Sequence, residues 1–134
     1  MKTAKLVLPA LLLLLYMASC KKDPLLVEPG TYTGTFKVVY SSGTQTGTTT
    51  MELKSDNTFT CVGHANHIPA GGSGTYAITG ENQINFSDVN FWTANFDWNL
   101  ILNGPYYYAF DGKHLKIWTD KNHVGSYAYE LEKN

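Results

Sequence analysis

His64 and His67 stand three residues apart in GHANHIPAGGSG, residues 63–74, the longest stretch of the chain without a hydrophobic period. Two imidazoles at that spacing can share a metal ion if the loop curls, with a third ligand from the barrel rim; His114 and His123 lie elsewhere in the chain. No cysteine or acid lies inside the loop to complete a set, so these two are weak candidate ligands and a solvated loop is the expected state. Nucleophilic catalysis needs a nucleophile beside an oriented base. Ser41, Ser42, Ser55, Ser73 and Ser87 lie in turns or beside glycines, and none sits in a G-x-S-x-G elbow. Paired carboxylates would have to converge on a cleft. Asp56 and Asp111 instead read as turn formers, Glu130 and Glu132 as outward residues, and Asp97 as lying on the face opposite Trp98. The chain is therefore expected not to be an enzyme, and nothing in it calls for a cofactor.

The chemistry that the sequence concentrates is aromatic. Tyr40, Tyr76, Trp98, Tyr106, Tyr108, Tyr127 and Tyr129 all fall on the apolar side of alternating segments. Converging rings of this kind either fill a small barrel or line a site for one small ligand. Each hydroxyl, and the Trp98 indole N–H, needs a hydrogen-bond partner that a wet or ligand-lined mouth supplies. These seven residues are the expected lining of a site for a small, mostly apolar ligand in the open end of a barrel. The alternative is a filled barrel that works through its surface, touching a protein or glycan with Phe91, Trp92 and the 63–74 loop. Tyr107 and Trp118 point outward and would add to that surface, unless the 88–95 segment folds over them.

What positions these rings is a period of two, carried through nearly the whole chain after residue 30. It predicts strands over 31–40, 46–53, 58–62, 75–79, 82–87, 96–102, 105–110, 113–119 and 124–132. The inward residues include Phe36, Val38, Met51, Phe59, Ile78, Ile84, Phe86, Phe96, Leu100, Leu115, Ile117 and Leu131. Residues 89–95 have no clean period. Asn103-Gly104 and Asp111-Gly112 are two-residue hairpin signals, since both positions tolerate a positive φ. Tight turns between successive strands make an antiparallel meander, and closure into a barrel removes its edges. Nine segments alternate, whereas a closed antiparallel meander needs an even number. The expected fold is an all-β up-and-down barrel of about eight to nine strands, and the count is weakest between 82 and 102.

The first residues carry a different signal. Lys2 and Lys5 precede an uncharged run from Leu6 to Tyr16, followed by Ala18 and Ser19. The run is shorter than the roughly 20 apolar residues of a spanning helix, and it reads as a signal peptide over 1–19. Residues 20–29 then form a tether and 30–134 one domain. Without the leader, eight lysines face eleven acids and no arginine is present. That balance offers no basic patch for nucleic acid and excludes any guanidinium fork for phosphate or carboxylate.

Met17-Ala18-Ser19-Cys20 resembles a bacterial lipobox, which implies that Cys20 is lipidated and holds the protein to a membrane. More than one acyl chain is needed for stable anchoring, and lipoproteins of this class carry several. Cys61 is then the only free cysteine, expected as a small buried hydrophobe without a disulfide partner. The CKKD run after the cleavage point resembles lipoproteins of Bacteroidota and implies an outer-membrane lipoprotein of the cell envelope, on its periplasmic or cell-surface side. The hairpin pattern of YAITGENQINF and YAFDGKHLKIW, with Gly30-Thr31-Tyr32 opening the first strand, is similar to the small lipocalin-like barrels of that group. The resemblance implies the fold and leaves the ligand open.

Overall fold

The computed structural model describes residues 25–134. The expected signal peptide and Cys20 lie outside the described residues. Eight antiparallel strands follow one another around a closed barrel: β1 Gly30–Tyr40, β2 Gly43–Leu53, β3 Thr58–Cys61, β4 Gly72–Gly80, β5 Gln83–Asp88, β6 Gly104–Phe110, β7 His114–Lys121 and β8 Gly125–Lys133. Each strand pairs with its neighbours in sequence, and β1 closes the ring on β8, with Phe36 opposite Tyr129 and Val38 opposite Tyr127. An even number of strands lets the first and last meet antiparallel, so the sheet keeps no free edge.

The pleat sends alternate residues into one core. Tyr32, Phe36, Phe59, Phe86, Met51, Leu53, Ile84, Leu115, Ile117, Tyr127 and Tyr129 are all at 0–1 % exposure. Their rings meet mostly at steep angles: Phe59 and Phe86 at 5.0 Å, Phe86 and Tyr106 at 5.7 Å, Phe36 and Tyr129 at 4.7 Å. Offset and edge-on contacts of this kind add to the stabilisation from area burial alone. Cys61 is buried at 7 % exposure and unpaired, its thiol pushed up to about 11 by burial and so kept neutral.

Two expectations need correction. Residues 96–102 are not a strand, because β5 pairs directly with β6, with Phe86 opposite Gly104. The segment instead holds a short 3-10 turn, Trp98–Leu100. Asn103-Gly104 consequently makes no hairpin: Gly104 does use a positive φ of 94°, but to start β6. Ile78 keeps the inward side, opposite the buried Ile84, but it is 36 % exposed because it sits at the barrel rim, where the β4–β5 ladder slips just beyond it. The Asp111-Gly112 turn does join β6 to β7, with the Asp111 carboxylate accepting from the amides of Lys113 and His114 at 2.9 and 2.6 Å.

Both ends of the barrel are covered. At one end, residues 25–29 cross below the core, where Val27 packs and Tyr32 donates to the Glu28 carbonyl at 2.5 Å. At the other end, segments 62–71 and 89–103 meet. Gly47 occupies an inward position on β2 opposite Phe36, and the Ile68 carbonyl takes the space its Cβ would fill. That glycine is what lets the 62–71 segment enter the mouth.

Candidate functional site

The mouth end is built around Asp97. Its carboxylate accepts from Tyr40 at 2.7 Å and from Tyr127 at 2.6 Å, on the neighbouring strands β1 and β8. The other oxygen accepts from the Asn99 amide at 3.0 Å and caps the 3-10 turn. Burial alone would raise the Asp97 carboxyl, but these donors outweigh it and hold the group below the ordinary carboxylate range. The same contact works oppositely on the phenols. Burial, then the hydrogen bond and charge of Asp97, push Tyr40 up to about 12 and Tyr127 further.

Behind this latch, Leu100, Ile101 and Leu102 are buried in succession. Ala70 donates to the Leu100 carbonyl at 3.1 Å and Leu102 to that of Gly71 at 2.9 Å, so the two segments bond to each other. Lys121 reaches over from β7, donating to the Asn103 carbonyl at 2.9 Å while its ammonium lies 5.0 Å from the centre of the Tyr106 ring. Burial lowers Lys121 to about 8 despite the favourable charge of Asp97.

The seven aromatic residues expected to line a site are thus distributed. Tyr106, Tyr108, Tyr127 and Tyr129 are buried at 0–3 % exposure, and Tyr76 at 8 % donates to the Lys54 carbonyl at the far end at 2.9 Å. Tyr40 is half-buried at the mouth, on Asp97. Trp98 does not join them: it is 56 % exposed, its indole donating to Ala94 at 3.1 Å, because the 3-10 turn rolls it away from the barrel. The buried hydroxyls of Tyr106 and Tyr108 reach no partner at full hydrogen-bond geometry among the described residues, with the backbones of Asn103 and Val27 as their polar neighbours. Burial raises the pKa of both.

His64 and His67 do not converge. His64 Nε2 bonds the Thr48 carbonyl, and His67 stacks on Phe96 with centroids 4.0 Å apart. Among the described residues no three histidine, cysteine or acidic side chains cluster at metal-binding distance. Trp92 turns inward, donating to Asp88 at 2.7 Å and packing edge-on against Phe96, whereas Phe91 is 92 % exposed.

The outer wall carries the aromatic pair that the alternation placed outward. Tyr107 and Trp118 face each other across β6 and β7, stacked at 5.9 Å with an interplanar angle of 30°. Tyr107 is 45 % exposed, and the ammonium of Lys116 lies 5.6 Å from the Trp118 ring. Beside Tyr107 a cleft of about 420 Å³ is lined by Gln83, Pro105, Tyr106, Tyr107, Thr119 and Asp120. A second outer cleft, of about 530 Å³, lies lower on the wall between β1, β6, β7 and β8, with a rim of mixed charge from Lys116, Glu130 and Glu132.

Fold and site define the class: a closed, eight-stranded, antiparallel β-barrel with a ring-filled interior, a latched mouth and an aromatic pair on its wall. Compared with protein-family models, with curated proteins and with solved structures, the chain matches none.

Proposed function

We propose that the protein is a lipid-anchored, non-enzymatic recognition module of the outer membrane, held through Cys20 with its barrel on the cell-surface side, and that it works through its outer wall rather than by carrying a ligand inside. The observation that carries this reading is the filled interior. Six aromatic side chains, Tyr32, Phe36, Phe59, Phe86, Tyr127 and Tyr129, are at 0–1 % exposure, and both ends are covered. An eight-stranded barrel has room for side chains or for one small ligand. Here the side chains take that room, and an apolar guest would have to displace both the Asp97 latch and the Leu100–Leu102 plug.

Exposed aromatic residues are the usual anchors of surface recognition. Tyr107 and Phe91 supply them here, at 45 % and 92 % exposure. The anchor and the surface position are tested together. The wild-type chain is expected to incorporate an alkynyl fatty acid fed to the cells, and Cys20→Ser to incorporate none. Protease added to intact cells is expected to remove the barrel. Labelling that survives Cys20→Ser, or a barrel cleaved only after the outer membrane is permeabilised, contradicts the proposal.

A further inference from the structure

We infer that the cleft between β6 and β7 is a binding site for one ring of a neutral sugar, with Tyr107 as its stacking platform. This deepens the surface-module reading and rests on it, since it places recognition on the outer wall. The cleft has a clear structural origin. The β6–β7 ladder runs from Phe110 opposite Leu115 to Tyr107 opposite Trp118 and stops there. The next outward residue on β6 is Pro105, which has no N–H to extend the pairing. Above that point the strands part, and the gap is bridged at its far end by Lys121 donating to Asn103 at 2.9 Å. The resulting window of about 420 Å³ reaches inward to the Tyr106 ring.

Its lining combines an aromatic face from β6 with hydrogen-bonding side chains from β5 and β7. Tyr107 is held by its stack on Trp118, so little side-chain freedom remains to be lost on binding. Gln83 sits opposite Tyr107 in the β5–β6 register and flanks it with an amide that both donates and accepts. Thr119 contributes a hydroxyl. Asp120 accepts from Ser126 on one carboxylate oxygen and keeps the other as an acceptor. A pyranose presents an apolar C–H face for a ring to cover and a hydroxyl edge for amide, hydroxyl and carboxylate groups. An apolar ring face set beside a few convergent polar groups, as in this window, suits both sides of such a ring.

Charge narrows the class. Asp120 is the charged residue lining the window, and the nearby Lys121 is already committed to Asn103 and to the faces of Tyr106 and Tyr127. An acidic sugar would meet a carboxylate without a free cation to offset it. A neutral one meets an acceptor for its hydroxyls.

The test is saturation-transfer NMR on the mature barrel with glucose, galactose, mannose and N-acetylglucosamine, and with glucuronic acid as the charged comparison. At least one neutral sugar is expected to bind saturably in the millimolar range and to shift the amides of Gln83, Tyr107 and Thr119, with glucuronic acid weaker. Tyr107→Ala is expected to weaken binding about tenfold, and Asp120→Asn to narrow the gap between neutral and acidic sugars. Neither residue is buried, so the melting temperatures of the variants report any folding defect separately. Silence from all four neutral sugars, equal binding of glucuronic acid, or a well-folded Tyr107→Ala variant that binds as before each overturns the assignment. A lipophilic dye titrated in parallel separates the two readings. Saturable dye binding overturns the filled-barrel reading, whereas silence from the sugars without dye binding overturns the window alone.

Discussion

Asp97→Ala is expected to destabilise the protein by about 2–4 kcal/mol and to make residues 89–103 the first site of proteolytic cleavage. The carboxylate satisfies three donors: the Tyr40 and Tyr127 hydroxyls and the Asn99 amide. Leaving a buried donor unpaired costs about 1–3 kcal/mol, and loss of a helix cap about 1. The low end of the sum applies because Tyr40 is half-buried and partly reachable by water. Urea denaturation measures the loss, and limited proteolysis locates it. Asp97→Asn keeps an acceptor oxygen and is expected to lose less.

The pH dependence separates charge from shape. The Asp97 pKa is depressed in the fold, so its stabilisation is present above the unfolded value of about 3.9 and is lost as pH falls through the folded one. Asp56, Asp111 and Glu132 are depressed as well and lose their contributions on the acid side too. The informative quantity is therefore the difference between wild type and Asp97→Asn. It is expected to shrink as pH drops below about 4. A difference that stays constant there means that the charge of Asp97 does not hold the cap.

Phe86→Ala is expected to cost more, about 3–5 kcal/mol, which is the range for removing a buried phenylalanine. Phe86 is 1 % exposed and stands among Phe59 at 5.0 Å, Tyr106 at 5.7 Å and Tyr76 at 6.5 Å. Closely packed rings fixed on the consecutive strands β3 to β6 of a closed sheet cannot collapse fully into the space, so a cavity remains. An apolar cavity of this kind stays dry and accepts benzene. Benzene is expected to raise the melting temperature of Phe86→Ala and leave that of the wild type unchanged. A wild type that benzene stabilises equally would show that the barrel already holds free space.

Much of the barrel is legible in the sequence because a pleated strand exposes its sides alternately. Tyr32, Phe36, Met51, Phe59, Ile84, Phe86, Ile117, Tyr127 and Tyr129 follow directly from that alternation, and all are buried. The need for an even number of strands showed that nine does not close cleanly, and the region where the count was weakest, 82–102, is where the excess one lay. Alternation failed at 96–102 because it reports one-sided burial, not pairing. Leu100-Ile101-Leu102 held the contrary signal, since three consecutive buried residues fit a plug surrounded on all sides better than a strand. The role of Asp97 was hidden for the same reason. On a strand it faces away from Trp98, whereas on a capped 3-10 turn it faces the mouth and Trp98 faces water. The 62–71 segment looked solvated, yet Ile68 and Ala70 are buried, Ile68 against β2 through the space left by Gly47, a contact between residues about twenty apart in the chain. The window between β6 and β7 had one local sign, a proline inside a strand.

Native mass spectrometry of the mature protein, purified from its own cells without denaturation, tests the filled barrel most directly. The mass of the chain plus the acyl groups on Cys20 is the predicted result, with no second component lost on gentle activation. A small apolar molecule bound at one per chain, released only when the barrel unfolds, would contradict it.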